Sequence, residues 1–150
     1  MLFLWMQNNP RFDYFQSQIG QSMAQSISGV GCWLNGVLRV VEPDRMVADY
    51  VVRDDMVNPV GVLHGGAASA ILDDLCGMLV FSLGREYGYT SVNLAMDFLN
   101  PARQGETLTA ETRIVRAGRN IIHLAGNITN ADGKLIAKCS TNLVQTGLKL

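Results

Sequence analysis

The sequence predicts an α+β fold: a long curved antiparallel β-sheet wrapped around one central buried helix, with an extra N-terminal helix. Three observations carry this expectation. Residues 65–83 have helical length and carry apolar side chains on almost every face, so that helix must be sheathed by protein. Two strand patterns precede it and four follow it. Turn signals separate several of these strands, as antiparallel neighbours require, and one sheet curled around the helix lets both bury their apolar faces.

The elements follow in order. Pro10 opens a helical pattern in which Phe12, Phe15, Ile19, Met23 and Ile27 recur at spacings of three and four. Ser28-Gly29-Val30-Gly31 ends it. Residues 33–41 and 46–53 read as two strands joined by the turn Glu42-Pro43-Asp44-Arg45. Asn58-Pro59-Val60-Gly61 is a loop, and the long apolar helix comes next. Its length raises the question of a membrane span, but Asp73 and Asp74 at its centre argue against one. Residues 90–99 alternate, with Val92, Leu94, Met96 and Phe98 on one face. Residues 107–116 alternate Leu108, Ala110, Thr112 and Ile114. Residues 120–129 follow the turn at Ala117-Gly118, and 134–144 follow the hairpin turn Asn130-Ala131-Asp132-Gly133. The organisation is thus an N-terminal helical extension, 1–31, and a main domain, 32–150.

At 150 residues the chain suits one globular core. Twelve basic and 13 acidic residues leave a net charge of −1, so no global field attracts nucleic acid. Cys32, Cys76 and Cys139 are scattered and form no CxxC pair, which argues against a disulfide framework or a zinc site. Reduced thiols in a cytoplasmic protein are the expectation. Met1-Leu2-Phe3-Leu4-Trp5-Met6 is apolar but too short for a signal core or a span, and reads as a cap packed on a neighbouring surface. His64 and His123 have no paired ligand spacing, so neither a metal nor a cofactor is expected.

The chemistry concentrates in Asn58-x5-His64-Gly65-Gly66-x6-Asp73. A loop Asn and a His stand just ahead of a helix, and two glycines sit where it starts. Helix N-termini carry unpaired N–H groups and a partial positive charge. Glycine lets a ligand approach that backbone, and such a site polarises a carbonyl and stabilises its oxyanion. Asp73 places a carboxylate in a helix that otherwise excludes charge, where burial is expected to raise its pKa. His64 and Asp73 are nine residues apart, about 13.5 Å along a helix axis. Reacting groups must come within roughly 3–3.5 Å of one another. If both serve one site, they come from two chains, and the protein is a homodimer with shared sites.

Residues 58–73, Asn58-Pro59-Val60-Gly61-Val62-Leu63-His64-Gly65-Gly66 through Asp73, resemble the signature of hot-dog-fold acyl-CoA thioesterases of the phenylacetate-pathway (PaaI) type. Thr90-Ser91-Val92-Asn93-Leu94, Phe98-Leu99-Asn100-Pro101-Ala102, Arg116-Ala117-Gly118-Arg119 and Asp132-Gly133-Lys134-Leu135-Ile136-Ala137 resemble later parts of the same family. The similarity covers roughly 33–144. It implies an acyl-CoA substrate, a hot-dog fold, and dimers that pair further. It implies that the Gly65 N–H holds the thioester carbonyl, Asn58 positions thioester or water, and His64 shapes the loop. Asp73 from the partner subunit would act as general base on water or as nucleophile, with Ser91 orienting the water. Gly66 would lie against the substrate.

Other residues carry plainer expectations. Asp74, about 100° around the helix from Asp73, reads as structural or solvent-facing. Cys76 reads as a small buried filler and His123 as a sheet-face residue. Arg116 and Arg119, with other basic residues near sheet edges, are candidates for the coenzyme phosphates. Two rivals share the fold. An enoyl-thioester hydratase needs Asp-x4-His or His-Phe-Pro-Gly, and neither pattern occurs. A non-catalytic acyl-CoA-binding protein of the sensor type needs an output domain, for which 150 residues leave no room.

Overall fold

A computed structural model describes residues 8–150; the N-terminal cap expected at Met1 to Met6 lies outside the described residues. The long apolar segment forms helix α3, Gly65–Ser82, preceded by α1, Pro10–Ser17, and α2, Gly29–Leu34. The strands are β1, Val37–Glu42; β2, Arg45–Val51; β3, Tyr87–Phe98; β4, Thr107–Ala117; β5, Ile121–Thr129; and β6, Leu135–Lys149. They make one antiparallel sheet in the order β1-β2-β4-β5-β6-β3. The sheet curves around α3, whose Ile71, Leu72, Leu75, Cys76 and Leu79 are almost wholly buried. Against them pack Met46, Ala48, Leu108, Ala110, Ile122, Leu124 and Leu143 from the inner sheet face. By length and composition α3 resembles a membrane span, but the sheet supplies the apolar surroundings it needs.

The N-terminal segment departs from the expected single helix. Phe12, Phe15 and Met23 are buried, yet Ile19 and Ile27 are largely exposed. The chain leaves α1 through Gly20, at φ +82°, a left-handed conformation that ends a helix. The Gly20 and Met23 N–H groups then bond the carbonyls of Leu38 and Gly36. Backbone pairing with β1 therefore replaces the helical ladder. Ser28, read as a helix end, instead starts α2, its hydroxyl accepting from the Gly31 N–H at 3.1 Å. α2 carries Trp33 and ends at Asn35 in a left-handed conformation, so the first strand begins at Val37 rather than at 33.

The other elements match the sequence pattern within a few residues. Several strands carry register shifts, and the one that bears on the site is in β3. Its ladder with β6 shifts between Ser91 and Asn93, so Val92 is an extra, bulged residue. Val92 and Phe98 are exposed while Leu94 and Met96 are half-buried. β3 also lies at the edge of the sheet, with one side of its backbone unpaired among the described residues.

Candidate functional site

The N-terminus of α3 is held by hydrogen bonds on both sides of the preceding loop. Asn58 closes that loop. Its side-chain Oδ1 accepts from the N–H of Val60 at 3.1 Å and of Val62 at 3.2 Å, and Gly61 takes the tight turn at φ +80°. The Leu63 N–H bonds the Ala102 carbonyl and the His64 N–H bonds the Met56 carbonyl, each at 2.8 Å. His64 then caps the helix: its Nδ1 accepts from the Gly66 N–H at 2.8 Å. A neutral His64 with Nδ1 as acceptor carries its ring proton on Nε2. This is a positioning geometry.

The Gly65 N–H, at the first position of α3, has no acceptor among the described residues. Gly65 borders a cavity of about 390 Å³ together with Asn58, Ala68, Phe98 and Asn100. A Cβ at Gly65 would stand 3.1 Å from the Phe98 ring, so a side chain there would crowd the opening. Phe98 is a wall residue that the sequence pattern alone does not distinguish from its neighbours. Gly65, with its free N–H, therefore borders a space large enough for a ligand group, at the positive end of an 18-residue helix.

Two turns further along α3, Asp73 accepts a hydrogen bond from the Ser91 hydroxyl at 2.8 Å. The bulge at Val92 helps aim Ser91 at the helix, as bulges beside functional sites often do. Asp73, Asp74, Ser91 and Ser28 border a second cavity, of about 380 Å³, whose other walls include Phe15, Met78 and Phe81. The two cavities share no lining residue. The structure thus brings Asn58, His64, Gly65 and Gly66 together at one place and Asp73 and Ser91 at another. Within one chain the two groups stand on separate cavities.

The burial of the two acids reverses the expectation. Asp73 is exposed in the single chain, whereas Asp74 turns inward. Asp74 Oδ2 is buried without a hydrogen-bond partner and lies 3.0 Å from where a Cβ on Gly31 would stand. Burial pushes the Asp74 carboxyl above the usual range; the Ser28 hydroxyl partly offsets this, and the neighbouring Asp73 adds to it. The Tyr50 hydroxyl is also buried without a partner, and burial and Asp74 raise it too. Cys76 is fully buried beside Cys139; that hydrogen-bonded contact and burial push its thiol up, so it is a neutral core residue. His123 Nδ1 lies 2.9 Å from Asn142 Oδ1 on the neighbouring strand.

The two candidate phosphate contacts lie on neither cavity. Arg116 is exposed near the C-terminal end of α3, beside a groove of about 590 Å³ shared with Leu83 and Arg85. The Arg119 side chain is exposed, and its carbonyl accepts from the Tyr89 hydroxyl.

One apolar helix inside a curved antiparallel sheet, with a loop-capped helix start at the sheet edge, defines a hot-dog protein. Residues 60–137 match the model of the thioesterase superfamily, and the chain belongs to that family of thioester hydrolases. It is 27% identical to human acyl-coenzyme A thioesterase 13 over 97 residues, 64% of this chain and 69% of that protein. A phenylacetic acid degradation-related protein of Ralstonia eutropha is 33% identical, with TM-score 0.74 over 87% of this chain and 98% of that one. The E. coli PaaI protein shares the fold, at TM-score 0.80 and 18% identity over 94% of this chain and 97% of that one.

Two predictions follow from this geometry. His64→Ala removes the helix cap and destabilises the protein by about 1 kcal/mol, while His64→Asn, a competent cap, recovers most of it; urea unfolding of both variants checks this. The raised Asp74 carboxyl means its neutral form is favoured in the fold. Its stability contribution is present below the ordinary aspartate range and is lost as pH rises through the raised value. Asp74→Asn is therefore expected to gain stability over the parent as pH goes from 4 to 7. Equal urea midpoint differences at both pH values would show that Asp74 charges without cost.

Proposed function

We propose that the protein hydrolyses an acyl-CoA, of the aryl or medium-chain class, to the free acid and coenzyme A, in a cytoplasmic homodimer whose sites are shared between subunits. The observation that carries this reading is the pair of half-sites on one helix. A free N–H faces one cavity, and a serine-bound carboxylate faces another, eight residues away. That spacing is about 12 Å along the axis, too far for one chain to close a site. The unpaired edge of β3 offers the means of assembly, since a second copy adds its own β3 there without breaking any bond. Such a pairing carries Ser91 and Asp73 toward Gly65 of the partner subunit. The same logic extends to a dimer of dimers.

In this mechanism the Gly65 N–H donates to the thioester carbonyl oxygen and Asn58 offers its free amide N–H groups beside it. Asp73 takes a proton from water held against Ser91, and the resulting hydroxide adds to the carbonyl carbon. The oxyanion forms where the helix N-terminus is most favourable to negative charge. Collapse of the tetrahedral intermediate breaks the C–S bond. The leaving coenzyme thiolate takes the proton from Asp73, which restores the carboxylate. His64 holds the helix start, and Gly66 keeps the approach open. Exposed Arg116 and Arg119, neither paired with a carboxylate among the described residues, supply the charge that meets the coenzyme phosphates.

Asp73→Asn is expected to lower kcat by about 10²–10⁴-fold with the dimer retained. Co-refolding it with an Asn58→Ala/His64→Ala variant should restore a fraction of activity, because mixed dimers contain one intact shared site. Near-normal hydrolysis by Asp73→Asn would sink the base assignment, and failure of mixed dimers to recover activity would sink the shared site. Arg116→Ala and Arg119→Ala should raise KM for the thioester by several-fold with kcat nearly constant, since a phosphate contact binds ground state and transition state alike. Unchanged KM values would remove these arginines from the coenzyme path.

A further inference from the structure

Gly77 stands inside α3, one turn beyond Asp73, where a glycine costs about 1 kcal/mol relative to alanine. Close packing does not account for it. A Cβ built at Gly77 meets no atom within 4 Å, whereas at Gly31 and Gly36 it would collide with a neighbour and at Gly126 it would be tightly hemmed in. The glycine preserves an empty space. That space belongs to the Asp73 cavity and also to a third cavity, of about 310 Å³, bordered by Val80, Tyr87, Leu148 and Leu150. Gly77, Phe81, Tyr89 and Thr90 border both. Asp73, Gly77 and Phe81 lie at i, i+4 and i+8, on one face of the helix. They mark a single groove leading away from the carboxylate.

The groove has fixed walls. The Phe81 ring stands edge-on to Phe15 at 6.3 Å, with the Arg11 guanidinium over it at 4.6 Å. Arg11 donates to the Arg85 carbonyl, and Arg85 donates to the Gly118 carbonyl and the Tyr89 hydroxyl, so these cations are engaged with the protein. From Asp73 to Phe81 the helix rises about 12 Å. An extended alkyl chain advances roughly 1.25 Å per methylene by ordinary C–C geometry, so the groove takes some eight to ten carbons. An aryl acyl group needs a short, closed pocket, and here the space continues past its reach.

Building on the thioesterase reading, we infer that this groove is the acyl-chain site, that its substrates are straight-chain medium-length acyl thioesters, and that Gly77 sets the chain length admitted. A side chain at Gly77 would project into the groove one turn from the reacting carbonyl and exclude the distal carbons.

The test compares acetyl-, hexanoyl-, decanoyl- and phenylacetyl-CoA as substrates of the parent, Gly77→Ala and Gly77→Leu proteins, with free thiol as the readout. The parent is expected to prefer decanoyl-CoA over the other three in kcat/KM. Gly77→Leu should lower the decanoyl-to-hexanoyl ratio by at least about 10-fold, and Gly77→Ala by less, as lost methylene contacts in an apolar pocket do. Both replacements favour helix, so the folded dimer should persist. A preference of the parent for phenylacetyl-CoA, or an equal loss on every substrate in Gly77→Leu, would overturn the inference. If no thioester is hydrolysed, the thioesterase reading fails by itself. The groove is then judged by calorimetric binding of decanoic acid, which Gly77→Leu should abolish; binding unchanged by that substitution overturns the groove assignment.

Discussion

The structure depends on one constraint: α3 is apolar on nearly all sides and has to be enclosed. A six-stranded sheet with strong curvature does most of this, and α1 and the Met23 turn close part of what it leaves. Enclosure is incomplete in two places. One is the helix start, where the backbone N–H groups cannot be used within the helix. The other is the face of Asp73, Gly77 and Phe81. The places where the wrapping fails are those where ligand chemistry becomes possible.

Those openings are of different kinds. At the helix start the loop 58–64 is tied by several backbone bonds, and His64 ends it with a side-chain cap. The arrangement presents a backbone donor held in place by the bonds around it. Along the Asp73 face the polar groups are side chains, Asp73 and Ser91, beside a bulge in β3. Backbone rigidity defines one of the two places and strand irregularity defines the other, and β3, which carries Ser91, is an edge strand of the sheet.

Much of this was legible in the sequence, for physical reasons. α3 could be bounded because it is apolar apart from Asp73 and Asp74 and its start carries two glycines. Asn58, His64, Gly65, Asp73 and Ser91 could be picked out by motif. The failures came where tertiary bonding overrode local pattern. Ile19 and Ile27 have helical spacing but lie beyond Gly20, whose neighbours bond β1 instead. The bulge at Val92 shifts the alternation, and no residue type there announces it. The inward turn of Asp74 depends on what α2 and Tyr50 place against it, and the vacancy at Gly77 depends on what stands opposite. Such features belong to pairs of elements, which a single linear pattern does not encode.

The adjacent acids show how finely α3 sets its own phase. One step along the helix turns a side chain by about 100°. That step separates Asp73, exposed and in reach of Ser91, from Asp74, half-buried with one oxygen enclosed and without a bonding partner. The helix acts as a gauge whose zero is the His64 cap. Gaining or losing one residue between Gly66 and Asp73 would leave composition and hydropathy almost unchanged. It would nevertheless present a different carboxylate, or none, to the open face. Residue count in this stretch is therefore as binding a requirement as residue identity.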